Sequence, residues 1–343
     1  MFLGRTARDQ VMPKTSEMPC LADAESSMDR PLRLRIDKTQ CAGEPLTGIN
    51  CNLSCIWCHG DFFQHEIGAP AISNEDIAEA VRLVSQAASS ENVEVKISGQ
   101  GEPTLVGLGE LCDLIAKLRP IPGVSEIKLL TNGALLESMV EGLLGAGLTG
   151  VNVSINSLDR RVYAQITGCD CLHKAIEGVK KAVTMGLTTK VNTIYCRLNS
   201  GEVSNYLRFS EEHGGIEIKF LDLLITKPEC NELYLPLRML EEELAPLATS
   251  IRTLFVPYRA IEYRFRHGGP RVVVKTAGAE NDCPREDCKW RSHCLEGCRS
   301  SIRIGQDGTL HPCGVRTDNV ISLIGGGTRD RIKEALLSGG KYV

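Results

Sequence analysis

Three things are scarce in this 343-residue chain: surplus positive charge, long apolar runs and a leader-like start. Lysine and arginine total 39 against 43 aspartates and glutamates, a net charge of −4. No bulk basic surface therefore advertises a nucleic-acid partner. No apolar run reaches the ~18 residues that a membrane-spanning helix needs. Met1 to Arg30 carries charges of both signs and no apolar stretch, so it does not read as a secretory leader, and the expected compartment is the cytoplasm. An apolar content of 42% and a charged content of 24% are ordinary for a globular chain. The length allows one large α/β domain or two smaller ones.

Cysteine is not scarce: there are fifteen. A secreted disulfide scaffold is short and spreads its cysteines evenly. Here they fall into two tight groups, 51–58 and 283–313, the distribution of two metal sites in a reducing compartment. Cys20, Cys41, Cys112, Cys169, Cys171, Cys196 and Cys230 read as ordinary thiols.

The first group is Cys51-Asn52-Leu53-Ser54-Cys55-Ile56-Trp57-Cys58. Thiolates are soft ligands suited to iron–sulfur clusters, zinc and Cu(I). A cluster usually takes four thiolates, yet the next cysteine is Cys112. Three cysteines without a fourth leave one metal position open, and open positions bind substrate or cofactor. The bland alternative is structural zinc.

C-x3-C-x-aromatic-C, with Trp57 as the aromatic, resembles the signature loop of the radical S-adenosylmethionine (SAM) enzymes. The resemblance implies that Cys51, Cys55 and Cys58 hold a [4Fe–4S] cluster whose fourth iron takes the amino and carboxylate groups of SAM. It also implies one-electron cleavage of SAM to methionine and a 5′-deoxyadenosyl radical, which abstracts hydrogen from substrate. Flavodoxin or ferredoxin is the expected electron donor.

Periodicity predicts an alternation of strands and helices: strands at 31–36, 93–97, 126–130, 150–155, 189–196 and 216–225, and helices at 73–89, 108–118, 135–144, 171–185 and 202–213. Strands separated by helical crossovers mean a parallel sheet. Six of them agree with the α/β partial (β/α)6 TIM-like barrel of the resembled family, although a doubly wound sheet has the same periodicity. The expected organisation is a mobile tail (1–30), a radical SAM barrel (31–226) and a smaller C-terminal Fe–S domain (227–343). Within the last, 241–252 reads as helix and Arg271–Lys275 as strand.

Chemistry in parallel barrels sits at the carboxyl ends of strands. The second strand ends in Ser98-Gly99-Gln100-Gly101-Glu102-Pro103-Thr104, where glycines permit close backbone approach. This resembles the family's Gly-Gly-Glu-Pro turn, and it implies that Gly99, Gly101, Glu102 and Pro103 receive SAM. Thr131-Asn132-Gly133 also matches. Ser154 and Asn156 would lie near the SAM ribose or carboxylate, with a helix-capping turn as the alternative. Arg197 is either a partner for a carboxylate or a surface arginine. The resemblance places Trp57, Thr131 and Asn132 beside the cofactor as well.

Ser154-Ile155-Asn156-Ser157-Leu158-Asp159, Ile166-Thr167-Gly168, Val191-Asn192-Thr193 and Phe220-Leu221-Asp222-Leu223 are similar to the GTP cyclase subgroup of molybdenum-cofactor synthesis. The likeness covers 48–225 and resumes at 283–316. There Cys283, Cys288, Cys294, Cys298 and Cys313 stand within 31 residues. Cys298, Gly308 and Cys313 resemble the opening of the auxiliary-cluster domains called SPASM and Twitch. With no cysteine after Cys313, the resemblance implies one auxiliary [4Fe–4S] cluster, and a zinc ribbon is the alternative. Gln306-Asp307-Gly308-Thr309 reads as a hairpin turn.

The cyclase carries Cys-Asn-Arg-x-Arg. Arg303 matches the second arginine and is a candidate substrate contact, but Ser301 stands at the first. A triphosphate wants that cluster intact. The expected substrate is therefore a nucleoside, nucleotide-sugar or sugar acid of a biosynthetic pathway. The competing readings are the GTP 3′,8-cyclase itself, a peptide-modifying maturase, and a non-catalytic zinc or Fe–S protein.

Overall fold

A computed structural model describes residues 31–58, 68–88, 90–225, 227–256, 258–266, 269–275, 302–311 and 320–323, with 330 and 332. The expected tail at 1–30 and the cysteines at 283, 288, 294, 298 and 313 lie outside the described residues.

The first half repeats one unit. β1 (Leu32–Asp37) is followed by α1 (Asn74–Ala87), β2 (Val93–Ser98), α2 (Leu108–Leu118), β3 (Val124–Thr131), α3 (Leu136–Ala146) and β4 (Gly150–Ser154). Two helices come next, α4 (Arg160–Thr167) and α5 (Leu172–Thr184), then β5 (Thr188–Ile194), α6 (Val203–Glu212) and β6 (Glu217–Leu221). Local signals set these helices. Ser73 and Asp76 form a reciprocal capping box on α1, contributing about 1 kcal/mol. α4 was not visible in the hydrophobic periodicity. It begins because the Asp159 carboxylate accepts from the backbone N–H groups of Arg161 and Val162, and it ends at Gly168 with φ 68°.

The second half departs from expectation in several elements. The helix expected over 241–252 is α7 (Leu237–Leu244), followed by a short helical turn (Ala245–Leu247) and then by a strand from Ser250. Pro246 lacks an N–H and clashes with a preceding turn, so the helix stops before it. β7 (Ser250–Val256) and β8 (Tyr258–Arg264) form an antiparallel hairpin that the sequence reading missed, whereas β9 (Arg271–Lys275) stands where it was expected. The hairpin predicted around Asp307-Gly308 joins β10 (Ile302–Ile304) to β11 (Thr309–His311), with Gly308 at φ 77°. β12 (Ile321–Ser322) follows.

Among the described residues, the twelve strands make one sheet, in the order β12-β11-β10-β1-β2-β3-β4-β5-β6-β9-β8-β7. The run from β10 through β1 to β6 and on to β9 is parallel throughout. The sheet thus does not stop at Lys227: β9 extends it beside β6, and β10 extends it beside β1. The parallel core is wider by two strands than the six expected, because segments assigned to a separate C-terminal domain pair with both edges of the barrel.

Strand alternation gives the sheet two different faces. Leu32, Leu34 and Ile36, Val93, Val95 and Ile97, and Val151 and Val153 are buried against Ile77, Val81, Leu111, Ile115 and the other helix residues in one core. Each fully buried aliphatic chain contributes roughly 1.5–3 kcal/mol. The opposite, inner face carries the residues between them: the charged or amide side chains of Arg33, Arg35, Asp37, Glu94, Lys96, Lys128, Asn152, Lys190, Asn192, Glu217, Lys219, Arg271, Lys275 and Arg303, with Leu130, Ile194, Leu221 and Val273 among them. Closed barrels usually fill that face with bulky aliphatic side chains. Here it is largely polar.

Candidate active site

The cluster loop at 51–58 is braced from two sides. Its backbone docks on the end of α4 through Ser54 N–H to Thr167 O (2.8 Å) and Ile56 N–H to Ile166 O (3.0 Å). Trp57, 3% exposed, anchors it in a small apolar cluster with Ile166, Cys196, Leu223 and Cys230. Cys51, Cys55 and Cys58 are all partly exposed. Cys58 N–H bonds to Cys55 O at 2.9 Å. The Cys51 sulfur accepts from Leu53 N–H at 3.4 Å and from Asn132 Nδ2 at 3.9 Å. Burial, then the neighbouring Cys58 and Cys51 thiols, push Cys55 up to about 12.

The strand-end turns converge on Glu102. Its buried carboxylate accepts from Thr104 N–H (3.1 Å), Thr104 Oγ1 (2.6 Å), Thr131 Oγ1 (2.6 Å) and Asn132 N–H (2.7 Å). Burial pushes this carboxyl up, and those bonds pull it back. Glu102 therefore ties the turn after β2 to the turn after β3. Pro103 is buried and opens the short helical turn after it. Asn132, held by Glu102, reaches Asn52 Oδ1 at 2.7 Å and so touches the cluster loop. The glycines are required by crowding. A Cβ on Gly101 would stand 2.0 Å from Asn50 O, and one on Gly99 would stand 2.2 Å from Thr39 Cγ2.

Three predicted residues are placed differently from one another. Ser154 ends β4 on the exposed side. Asn156 spends its carboxamide oxygen on Ile194 N–H (3.0 Å), and its backbone oxygen accepts from Asn199 Nδ2 (2.7 Å). The turn after β4 is further held by Glu202, which accepts from Ser157 Oγ and Leu158 N–H, both at 2.6 Å. Arg197 is exposed and donates Nε to Glu232 O at 3.0 Å.

The inner face divides by height. Towards the amino ends of the strands, carboxylates answer the cations. Glu94 lies 2.6 Å from Lys96, 3.6 Å from Lys128 and 3.8 Å from Arg33. Glu217 pairs with Lys190 at 3.1 Å and with Arg271. A cavity of 440 Å³ opens at this end, lined by Glu126, Lys128, Lys190, Glu217, Arg264 and Arg271 among others. Burial opposes ionisation of Glu94, but Lys96, Lys128 and Arg33 hold it at about 2. Nearer the carboxyl ends cations stand close together, with Asp37, buried at the end of β1, on the same face. Arg35 stands in register with both Lys96 and the buried Arg303. Among the described residues, neither Arg35 nor Lys219 has a carboxylate at ion-pair distance. Burial, then Lys275 and Lys96, push Lys219 down to about 7. The buried atoms Arg35 Nε, Asn152 Oδ1 and Asn192 Oδ1 have no hydrogen-bond partner among the described residues.

Apart from Arg303, this cationic set was not picked out from sequence, although a signal existed. Leu32 to Asp37, Val93 to Ser98 and Glu217 to Leu221 each alternate aliphatic and charged residues. Cys171 was also read as ordinary. It lies 3.8 Å from the buried Tyr163 hydroxyl, beside the α4 turn that braces the cluster loop.

Residues 46–209 match the Radical SAM superfamily. A protein named "Probable GTP 3′,8-cyclase" from Sulfurisphaera tokodaii is 31% identical over 278 residues, spanning 80% of this chain and 81% of the relative. Its namesake from Methanothermobacter thermautotrophicus is 30% identical over 296 residues, spanning 84% and 87%. The chain belongs to the radical SAM superfamily. Within it, the chain falls in the GTP 3′,8-cyclase-like subgroup. Its fold is similar to that of Streptococcus suis SuiB bound to S-adenosylmethionine, with a TM-score of 0.62 at 18% identity over 88% of this chain. The chain covers 65% of SuiB. Among the described residues, no helix is long and apolar enough to cross a membrane.

Radical SAM enzymes use a [4Fe–4S] cluster and SAM, and the residues present here fit that pair. Three soft thiols lie in one another's electrostatic field, and N–H donors reach the sulfur of Cys51. The protons that burial holds on Cys51 and Cys55 are those that metal binding displaces. Among the described residues, no three Cys, His, Asp or Glu side chains close on a single metal ion. A cluster asks for no such convergence, since each thiolate takes its own iron.

Proposed function

We propose that this enzyme performs a GTP 3′,8-cyclase-type reaction, with the nucleotide's phosphates held on the cationic upper part of the inner face. The single observation carrying this reading is the alignment of Arg35, Lys96 and Arg303 on the adjacent strands β1, β2 and β10, with Lys219 on β6, below the strand-end turns. Fixed cations on strands are suited to phosphate, and guanidinium groups bind it bidentately. The names of the relatives support the same substrate.

In this reading Cys51, Cys55 and Cys58 hold the cluster. The turns at 99–103, 131–133 and 154–157 orient SAM, with Glu102 fixing the first two against each other. When bound, the cluster and SAM supply one-electron reductive cleavage and a 5′-deoxyadenosyl radical that takes hydrogen from substrate. The inner face orients the substrate and keeps its phosphates away from the reacting carbon. The C-terminal cysteines hold an auxiliary cluster, and a flavodoxin or ferredoxin delivers the electron in the cytoplasm.

The test is anaerobic turnover of reconstituted enzyme with SAM, reductant and GTP. The expected result is 5′-deoxyadenosine formed in step with a cyclised nucleotide. Formation of 5′-deoxyadenosine without loss of GTP would overturn the substrate and keep the chemistry. A second reading, a nucleoside, nucleotide-sugar or sugar acid, is favoured by Glu94. This carboxylate neutralises the lower inner face and leaves fewer cations for a long phosphate chain. Ser301 in place of an arginine points the same way.

A further inference from the structure

The cluster loop sits on an excursion of the chain that leaves the barrel after β1 and returns before α1. Its two arms form a short antiparallel ribbon. Gly43 N–H bonds to Ala71 O (2.8 Å), Ala71 N–H to Glu44 O (2.8 Å) and Leu46 N–H to Ala69 O (2.7 Å). The base of that ribbon is closed by neither arm. It is closed by Gln306, from the turn between β10 and β11. The carboxamide oxygen of Gln306 accepts from Thr39 N–H (2.8 Å) and Gln40 N–H (3.1 Å), and its Nε2 donates to Gln40 O. Its backbone oxygen accepts from Ile72 N–H at 2.9 Å, on the other arm. The side chain is fully buried. One residue thus grips both arms, across 267 positions of sequence in the case of Thr39.

The grip continues towards the cysteines. Thr39 O accepts from Asn50 Nδ2 at 2.8 Å, and Asn50 O accepts from Glu102 N–H at 2.8 Å. Glu102 holds Asn132, and Asn132 contacts the Cys51 sulfur. Gly99 and Gly101 are crowded against Thr39 and Asn50, so a shift of residues 39–50 moves the turn that faces SAM.

We propose that Gln306 is a positioning residue for the SAM-binding cluster: from the β10–β11 turn it fixes the base of the excursion, and through Thr39 and Asn50 it sets the height of the cysteine loop relative to the Gly99–Pro103 turn. The carboxamide is matched to the task because it accepts from two consecutive backbone N–H groups while donating to a carbonyl. Without it, the buried Thr39 N–H and the half-buried Gln40 N–H lose their acceptor. The proposal rests on membership of the superfamily alone and is independent of the GTP reading.

The test uses the full chain, with Gln306→Ala, Gln306→Glu and Gln306→Met. Hydrogen exchange on the metal-free protein is read by mass spectrometry. Gln306→Ala is expected to speed exchange in a peptide spanning 38–50 about tenfold, the effect of one lost buried bond or more, while β2–β5 peptides stay unchanged. Gln306→Glu keeps the acceptor oxygen and is expected to restore most of that protection. On the reconstituted enzyme, Gln306→Ala is expected to raise KM for SAM about tenfold with kcat changed less than about threefold. It is also expected to alter the EPR change that SAM produces at the cluster. Wild-type exchange at 38–50 together with an unaltered KM and EPR response in Gln306→Ala overturns the proposal. If Gln306→Ala does not fold, Gln306→Met decides, since it keeps the volume and removes both polar atoms: faster exchange in the 38–50 peptide supports the proposal, and wild-type exchange there overturns it.

Discussion

The two ends of the inner face are made of the same residue types and behave oppositely. At the amino ends of the strands, Lys128, Lys190, Arg33 and Arg271 each meet a carboxylate of Glu94 or Glu217. A few ångströms up the strands, Arg35 and Lys219 meet other cations and amides instead. Ion pairs in a partly dry interior roughly break even and close the barrel floor. Uncompensated cations in the same surroundings are costly until an anion arrives. The floor is structure; the upper level is, in the proposed function, the surface that meets the substrate's phosphates.

Removing the floor's central carboxylate should have the largest effect. Glu94→Gln leaves Arg33, Lys96 and Lys128 without their common partner, and about 3 kcal/mol of stability should be lost. Denaturant unfolding of the metal-free protein measures it, and a loss under about 1 kcal/mol would mean that the two ends do not differ in kind. Arg35→Ala should leave stability nearly unchanged but raise KM for the anionic substrate about ten- to hundredfold, the range for a charged hydrogen bond. Arg271→Ala, at the floor, should change that KM by less than about threefold. Equal effects from the two arginines would erase the distinction.

A smaller effect follows from Lys219. Burial and neighbouring cations hold it at about 7, so the free enzyme loses this charge as pH rises through 7. Affinity for an anion should therefore be fully developed below pH 7 and decline above it. Lys219→Arg, charged throughout, should flatten that part of the profile once the substrate's own titration is subtracted. The smallest expected change is at the surface. Arg160→Ala breaks an exposed pair with Asp170 and should leave the unfolding midpoint and the KM for SAM unaltered.

The alternation of strands and helices was legible because each unit carries its own period and its own stop signal, as at Gly147 after α3 and Gly168 after α4. The cysteine loop and the Gly-x-Gly-Glu-Pro turn were legible because their chemistry is local in sequence. Two things were not. The parallel pairing of β9 with β6 and of β10 with β1 is a long-range fact, and β10 is too short to declare its neighbour. The inner face was hidden for a different reason. A charged residue between two aliphatic ones reads as solvent-facing, and only the curvature of the sheet turns Arg35, Lys96 and Lys219 towards one another. Arg303 alone was found in advance, through resemblance.

The pairing of β1 with β10 has a consequence of timing. β1 is the first of the described strands, yet one of its edges waits for residues 302–304, far along the chain. Until then that edge offers unpaired backbone groups to any passing strand, and the base of the cysteine excursion has no Gln306 to close it. Truncation before residue 306 should therefore yield a chain that aggregates through β1 rather than one that merely lacks a C-terminal domain.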